Sequence, residues 1–358
     1  MQKLNGTINR IEAIDNSLAE ETQKRLDNLT KPQGSLGRLE ELAKQMVAIT
    51  KKENPPVRNK VIFTMAGDHG ITEEGVSAFP KEVTPQMVYN FIKGGAGINV
   101  LANHVGARVV IVDMGVACDL EPHPELVIKK VGYGTKNMAL GPAMTREEAV
   151  RSIENGIEIF EEEFSSSDGK KRIDIVGTGD MGIGNTTASS AIASVVMGKS
   201  VEDMTGRGTG IDDKGLSSKI ALIKKAINVN EPDAEDAIDI LSKVGGFEIG
   251  GLAGVILAAA SRRVPVVIDG FISGAAALIA YKIEPKVKDY MIAAHYSVEI
   301  GHRAVLDHLG LKGLLDFDFR LGEGTGAALA MSVVEASVRI LTEMATFQDA
   351  NVSEKVEM

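Results

Sequence analysis

Apolar positions along the first fifty residues recur at helical spacing. Ile11, Ile14 and Leu18 share one face, and after a break Leu39, Leu42, Met46 and Ile49 share another, which predicts two helices. Between them, Lys31-Pro-Gln-Gly-Ser-Leu-Gly-Arg-Leu-Glu40 carries the Pro and Gly that break a helix, with Ser35 placed to help start the next one. The polar stretch Lys51 to Lys60, with its Pro-Pro, reads as a linker. Beyond it, short β-branched runs alternate with helical segments, the pattern of parallel strands joined by crossover helices. The runs are Val61 to Met65, Arg108 to Val112, Ile173 to Val176 and Val264 to Ile268, with Met291 to Ala294 a weaker match.

Each run leads into small, acidic or histidine residues: Asp68-His69-Gly, Asp113-Met-Gly, Gly177-Thr-Gly-Asp180, Asp269-Gly-Phe and His295. An open parallel α/β sheet binds ligands outside the carboxyl ends of its strands, so the predicted fold and the candidate site support each other. A capping box, Thr145-Arg-Glu-Glu148, starts a helix carrying Val150, Ile153, Ile157, Phe160 and Phe164 on one face, with Glu161 to Glu163 on its solvated side. The segment Ala327 to Phe347 is helical, with Val334, Val338, Leu341 and Ala345 aligned, and the last ten residues are polar and frayed.

Composition narrows the function. With 358 residues and 44% hydrophobic content the chain builds a sizeable core, but aromatics are 4% with no Trp, so loops rather than aromatic cages shape its site. A net charge of -10 without clustered Lys and Arg argues against nucleic acid or anionic membrane as a partner. One cysteine, Cys118, excludes a disulfide framework, and the N-terminal residues have no signal-like apolar run, so a cytoplasmic location is expected. The apolar stretch Gly251 to Ala260 is far short of the roughly 20 residues that cross a bilayer, so no membrane span is expected.

Two glycine-rich loops carry the chemistry. In Gly322-Glu-Gly-Thr-Gly326 the carboxylate of Glu323 stands between glycines just before a helix, a geometry open to a planar group and suited to a base; a plain helix N-terminus is the competing reading. In Gly177-Thr-Gly-Asp-Met-Gly-Ile-Gly-Asn-Thr-Thr187, the residues Gly182, Ile183, Gly184, Asn185 and Thr186 combine amides, a hydroxyl and a helix N-terminus into a site for one phosphate. Gly206-Arg-Gly208-Thr209-Gly210, followed by Lys219, can complete that cradle. Gly177-x-Gly179-x-x-Gly182 also matches the dinucleotide fingerprint, but that needs a strand ending in an acidic residue about 20 residues on, and only Glu202 and Asp203 fall near there, without a visible strand. Asp316 and Asp318 are placed to pair with Arg320, leaving Glu323 free, and Asp68 and His69 either contact ligand or fix their loop. Histidine spacing gives no metal signature and the serines form no nucleophile elbow. Neither metal nor cofactor is predicted.

In this order, the segments Lys31 to Glu40, Asp68-His-Gly70, Pro80-Lys-Glu-Val-Thr84, Gly134-Thr-Lys-Asn137, Met181 to Thr187, Gly208-Thr-Gly210, Asp269-Gly-Phe271 and Arg320 to Gly326 resemble the nicotinate-nucleotide:dimethylbenzimidazole phosphoribosyltransferases of cobalamin biosynthesis. The resemblance covers nearly the whole chain. It implies an α/β fold, a Rossmann-like parallel sheet with flanking helices (59–329), plus a small helical domain from both chain ends (1–58 and 330–358). It also implies a homodimer whose partner helps close each site.

The implied reaction moves ribose 5-phosphate from nicotinate mononucleotide to 5,6-dimethylbenzimidazole, giving nicotinate and α-ribazole 5'-phosphate. By that resemblance Glu323 is the general base, Met181 to Thr187 and Gly208 to Gly210 with Lys219 hold the nucleotide, and Phe79, Pro80, Met87 and Leu321 line the base pocket. One departure stands out: Asp180 occupies a position where the family often has Glu, so this second carboxylate either stabilises a ribosyl cation or only orients its loop. Phe79 and Met87 are apolar where some members are polar, which hints at a drier acceptor pocket. An NAD-dependent oxidoreductase and a non-catalytic nucleotide-binding module rank below this reading.

Overall fold

The computed structural model describes residues 1–15, 17–165 and 173–353. The apolar runs become strands β1 (Lys60–Gly67), β2 (Ala107–Gly115), β3 (Leu126–Ile128), β4 (Ile175–Met181), β5 (Val266–Ile268) and β6 (Met291–Ala293). All pairings are parallel, in the order β3-β2-β1-β4-β5-β6. The order in which the chain adds strands reverses between β1 and β4, and the crevice above such a switch point is where a doubly wound sheet receives its ligand.

Helices α1 (Gln2–Ile8), α2 (Ser17–Asp27) and α3 (Arg38–Thr50) precede the sheet, and α4 (Val83–Ile92) and α5 (Gly97–Val105) link β1 to β2. Helix α6 (Arg146–Phe164) leads into β4. Between β4 and β5 run α7 (Asn185–Met197), α8 (Val201–Met204), α9 (Asp213–Asn230), α10 (Ala237–Val244) and α11 (Phe247–Ser261). Helix α12 (Phe271–Ile283) joins β5 to β6, and α13 (Ile300–Leu309), α14 (Thr325–Glu343) and α15 (Phe347–Ala350) close the described chain.

Alternation along β1 separates two cores. Val61, Phe63 and Met65 enter one with α6, α7, α11 and α12, while Ile62 and Ala66 enter the other with α4, α5 and α14. Helix α11 is buried nearly all round, and α6 reaches it where a Cβ on Gly156 would stand 1.9 Å from the Gly251 carbonyl oxygen. Helix α14 is long and apolar enough by composition to cross a bilayer, but 56% of it is buried within the fold. A third apolar cluster, Leu26, Leu29, Ala43, Val47 and Leu341, ties α2 and α3 to the distal end of α14.

The structure redraws several sequence boundaries. Ile11 and Ile14 lie between α1 and α2, outside any helix, because Asp15 accepts from the Ser17 amide (2.8 Å) and hydroxyl (2.9 Å) and starts α2 there. Ser35 does not cap α3. Its N-cap is Gly37, and the preceding loop is held by a buried Lys31–Glu40 pair (2.7 Å) whose carboxylate also accepts from the Leu36 amide (3.0 Å).

The Gly177 to Asp180 segment, expected beyond a strand, lies inside β4, where pairing to β1 continues as far as Ala66 and Met181. The strand starts late, at Ile175, where the Asp174 carboxylate accepts from the Asn59 amide (2.9 Å). Thr145 and Glu148 make the expected capping box. The acidic face of α6 is ion-paired rather than simply solvated: Glu161 meets Arg10 and Arg262, Glu162 meets Lys129, and Glu163 meets Arg108. Ala345 falls past the end of α14, Thr346 caps α15, and residues 354–358 of the polar end lie outside the described residues.

Candidate active site

Beyond the carboxyl ends of β4, β5 and β6 lies a cavity of about 540 Å³, with Phe79 reaching in from the connection that follows β1. Of the residues expected at the site, Phe79, Asp180, Gly182, Ile183, Asn185, Thr186, Gly208, Thr209 and Leu321 line it. Gly184, Gly210, Lys219, Pro80, Met87 and Glu323 are not part of its wall. Gly184 is the N-cap of α7 at φ 93°, and Lys219 and Glu323 are buried just behind the surface. Met87 packs partly buried on α4 against the second core.

One end of the cavity is built for an anion. The N-terminus of α7 has no side-chain cap and no acidic residue in its first turn, so its amide dipoles present positive potential to whatever enters. Beside it, Lys219, 1% exposed on α9, donates to the Thr186 hydroxyl (2.8 Å) and the Gly206 carbonyl (3.4 Å). Burial pushes the Lys219 ammonium down to about 8, with the nearby Glu299 carboxylate pulling the other way. Arg320 donates to the Gly208 carbonyl (3.0 Å), not to Asp316 or Asp318, so the expected pairing gives way to a brace on the Gly206–Gly210 loop. Thr209 in turn accepts from the Ala78 amide (3.1 Å), tying that loop to the segment that carries Phe79.

The other end is organised around a turn. Glu323 has φ 63°, a left-handed conformation costing a non-glycine residue about 1–3 kcal/mol unless its surroundings fix it. Here they do. Its amide donates to the Asp180 carbonyl (3.2 Å), its carbonyl accepts from the Thr64 hydroxyl (2.9 Å), and the next amide, Gly324, donates to Asp269 (3.2 Å). Asp269 also accepts from the Ala327 amide (2.8 Å), so it anchors the start of α14. The Glu323 carboxylate accepts from the Ile98 amide at the N-terminus of α5 (3.0 Å).

Burial raises the Glu323 carboxyl above the usual range, and the Ile98 amide opposes this. Burial likewise lifts Asp269 to about 7 and holds Asp180 well above the ordinary carboxylate range, helped by the charges of Asp269, Glu248 and Glu323. Asp180 accepts from the Asn185 side chain (2.9 Å) through one oxygen, while the other has no partner among the described residues.

A Cβ on Gly179 would lie 2.3 Å from the Glu323 carbonyl oxygen. Gly179→Ala is therefore expected to push the Glu323 turn off β4, lowering turnover about tenfold and stability by about 3 kcal/mol, an overpacking cost. Steady-state kinetics and thermal unfolding check both numbers.

The sequence left the role of Asp68 and His69 open and missed other residues of the site. Asp68 and His69 fix the loop: Asp68 accepts from the Ala117 amide (2.8 Å), and His69 bonds Glu248 (2.7 Å), both partners fully buried. Glu248, the single charge in an otherwise apolar α11, was a readable signal. Glu299 and Ser297, which line the cavity, had none; His295, which also lines it, was flagged only for its place after a strand. The dinucleotide match fails in space, because Glu202 and Asp203 sit in the short helix α8 instead of at a strand end.

A phosphoribosyltransferase family model matches residues 11–352. The chain is 56% identical to the nicotinate-nucleotide–dimethylbenzimidazole phosphoribosyltransferase of Geobacter sulfurreducens, covering 99% of both chains. It is 56% identical to that of Chloroflexus aggregans over 100% of both. The crystal structure of CobT from Thermus thermophilus superposes with a TM-score of 0.89 at 42% identity, covering 94% of this chain and 99% of that one. A family match over almost the full length, relatives matched end to end and a shared fold together place the chain in one group: it belongs to the nicotinate-nucleotide–dimethylbenzimidazole phosphoribosyltransferase family.

Proposed function

We propose that the protein transfers ribose 5-phosphate from nicotinate mononucleotide to 5,6-dimethylbenzimidazole, releasing nicotinate and forming α-ribazole 5'-phosphate for the lower ligand of cobalamin. The observation that carries this reading is the pairing, across one crevice, of an uncapped helix N-terminus backed by Lys219 with a buried carboxylate held in a fixed turn. The phosphate sits at α7 against Thr186, the Gly208–Gly210 loop and Lys219. That leaves the anomeric carbon toward Glu323.

The incoming azole nitrogen attacks that carbon from the face opposite nicotinate, inverting it. The C–N bond to the quaternised pyridine breaks, its electron pair returns to the ring, and nicotinate leaves needing no acid. The azole N–H proton passes to Glu323, whose raised affinity for it suits a base working near neutral pH. Its charge also favours the cation-like ribosyl transition state. Leu321 bridges cavity and base, since its Cδ2 and the Glu323 carboxylate both lie beside Gly97; with Phe79 it lines the acceptor side of the cavity, while Pro80 and Met87 stand outside that wall. Asp180, which burial favours in its protonated form, orients the Met181–Thr187 loop through Asn185.

The protein acts as a cytoplasmic homodimer. Exposed Phe79, Val298, Ile300, Phe317 and Leu321 leave an apolar surface for a partner to cover, with Phe79 and Leu321 at the cavity itself. A small helical domain (1–58 and 330–358) flanking the catalytic one (59–329) is supported by the separate cluster of α2, α3 and distal α14. The test is turnover of purified protein with nicotinate mononucleotide and dimethylbenzimidazole, read by chromatography. Equal amounts of nicotinate and α-ribazole phosphate are expected. Nucleotide binding without either product overturns the choice of acceptor; absence of binding overturns the reading.

A further inference from the structure

The N-cap of helix α5 is Ala96, which has no side-chain acceptor; Asn99 in the first turn accepts from the Ala96 amide (3.1 Å) and leaves the helix's own first amides to other partners. The acceptor for its Ile98 amide is instead the Glu323 carboxylate, delivered from 225 residues away at 3.0 Å. Gly97, the first residue of the helix, keeps that approach open: a Cβ there would meet Leu321 Cδ2 at 2.9 Å and the Glu323 carboxylate at 3.4 Å.

We propose that the N-terminus of α5, acting through the Ile98 amide and the bare backbone at Gly97, is the positioning element that aims the Glu323 carboxylate at the acceptor and holds it ionised for proton abstraction. This rests on Glu323 being the base.

The surroundings leave α5 that role. The titratable groups around Glu323 are other carboxyls, Asp180 at the end of β4 and Asp269 after β5, both raised by burial, and neither supplies a positive charge that would hold Glu323 ionised. Strand β1 contributes the Thr64 hydroxyl, which is bound to the Glu323 carbonyl and not to its carboxylate. The first turn of α14 carries no acidic side chain. From the segment after β6, His295 packs against Gly326, and burial keeps it neutral. On α5 itself the titratable side chain is His104, in the last turn. A helix N-terminus directed at a carboxylate favours its ionised form, and here it opposes the burial that favours the protonated one.

Ile98→Pro tests this directly. Proline is tolerated in a first helical turn, where the amide has no intrahelical acceptor, so the change removes the donor to Glu323 with little loss to the helix ladder. Gly97→Ala is the second variant: its Cβ would push Leu321 Cδ2, 2.9 Å away, and crowd the Glu323 carboxylate at 3.4 Å while the amide stays. Both are expected to raise the acid limb of the kcat–pH profile by about one pH unit, the size of one charge-assisted hydrogen bond. The Glu323 carboxyl resonance, labelled with carbon-13 and assigned by its loss in Glu323→Gln, should titrate higher by the same amount. If Ile98→Pro does not fold, Gly97→Ala carries the test. Should Glu323→Gln keep full turnover, the base assignment itself falls. Should it lose turnover while both variants titrate as the parent does, the role of α5 is overturned.

Discussion

Glu323→Gln is expected to lower turnover by about 100-fold or more while nicotinate mononucleotide still binds, the loss typical of a removed general base. Glutamine keeps the volume of the side chain and can still accept from the Ile98 amide, so the turn that fixes it should survive. What disappears is the site for the azole proton and the negative charge beside the ribosyl cation. Stability should move the other way. Glu323 holds its proton more tightly in the folded protein than an ordinary carboxyl does, so its contribution is present at low pH and is lost as pH rises through its raised value. A neutral amide avoids that loss, and the variant should melt at or above the parent temperature at pH 7 and fall back level with it in acid. Stopped-time assays with calorimetric nucleotide titration and unfolding at two pH values read all three effects. Unchanged turnover would remove Glu323 from the chemistry; lost nucleotide affinity would mean that its turn, and not its charge, is what the site needs.

That so much of this was visible along the chain has a physical reason. The strands of a parallel sheet are covered on both faces, so β1 reads as a nearly continuous apolar run while β4 shows one only at its start, and the capping box at Thr145 marks its helix by local chemistry alone. What was hidden depends on distance in space. Strand β3 pairs through three residues, too few to show a period. Ile11 is buried in the main core yet sits in an irregular segment, so a helical phase drawn through it was wrong although its burial was right.

The partners of Glu323 come from residues 64, 98, 180 and, through Gly324, 269, and no spacing rule joins them. Lys219 was different. It lies with Ile223, Ala226 and Asn230 on the buried stripe of α9, and a lysine in phase with an apolar face is a signal that sequence alone contains.

The burial of Lys219 makes its removal the second large effect. Lys219→Met should weaken nicotinate mononucleotide binding by about 30-fold or more, the loss of one charge-assisted contact to phosphate, with a smaller change in the rate of bound substrate. The same residue sets a pH limit. In the free protein its ammonium loses its proton at about 8, so affinity for the phosphate should fall as pH rises through that value, whereas the variant should show no such fall. For folding the sign is opposite. An ordinary lysine holds its proton to about 10.4, so between pH 8 and that value the unfolded chain binds more protons and the lysine's destabilising effect is relieved as pH rises. Methionine removes the cost of burying the ammonium but strands Glu299, whose carboxyl burial already raises and Lys219 lowers. The single variant should therefore be less stable than the parent at pH 7, and Lys219→Met combined with Glu299→Gln should regain that stability without regaining affinity. If the double variant binds nucleotide as the parent does, Lys219 serves only to neutralise Glu299, and the phosphate is held by α7 alone.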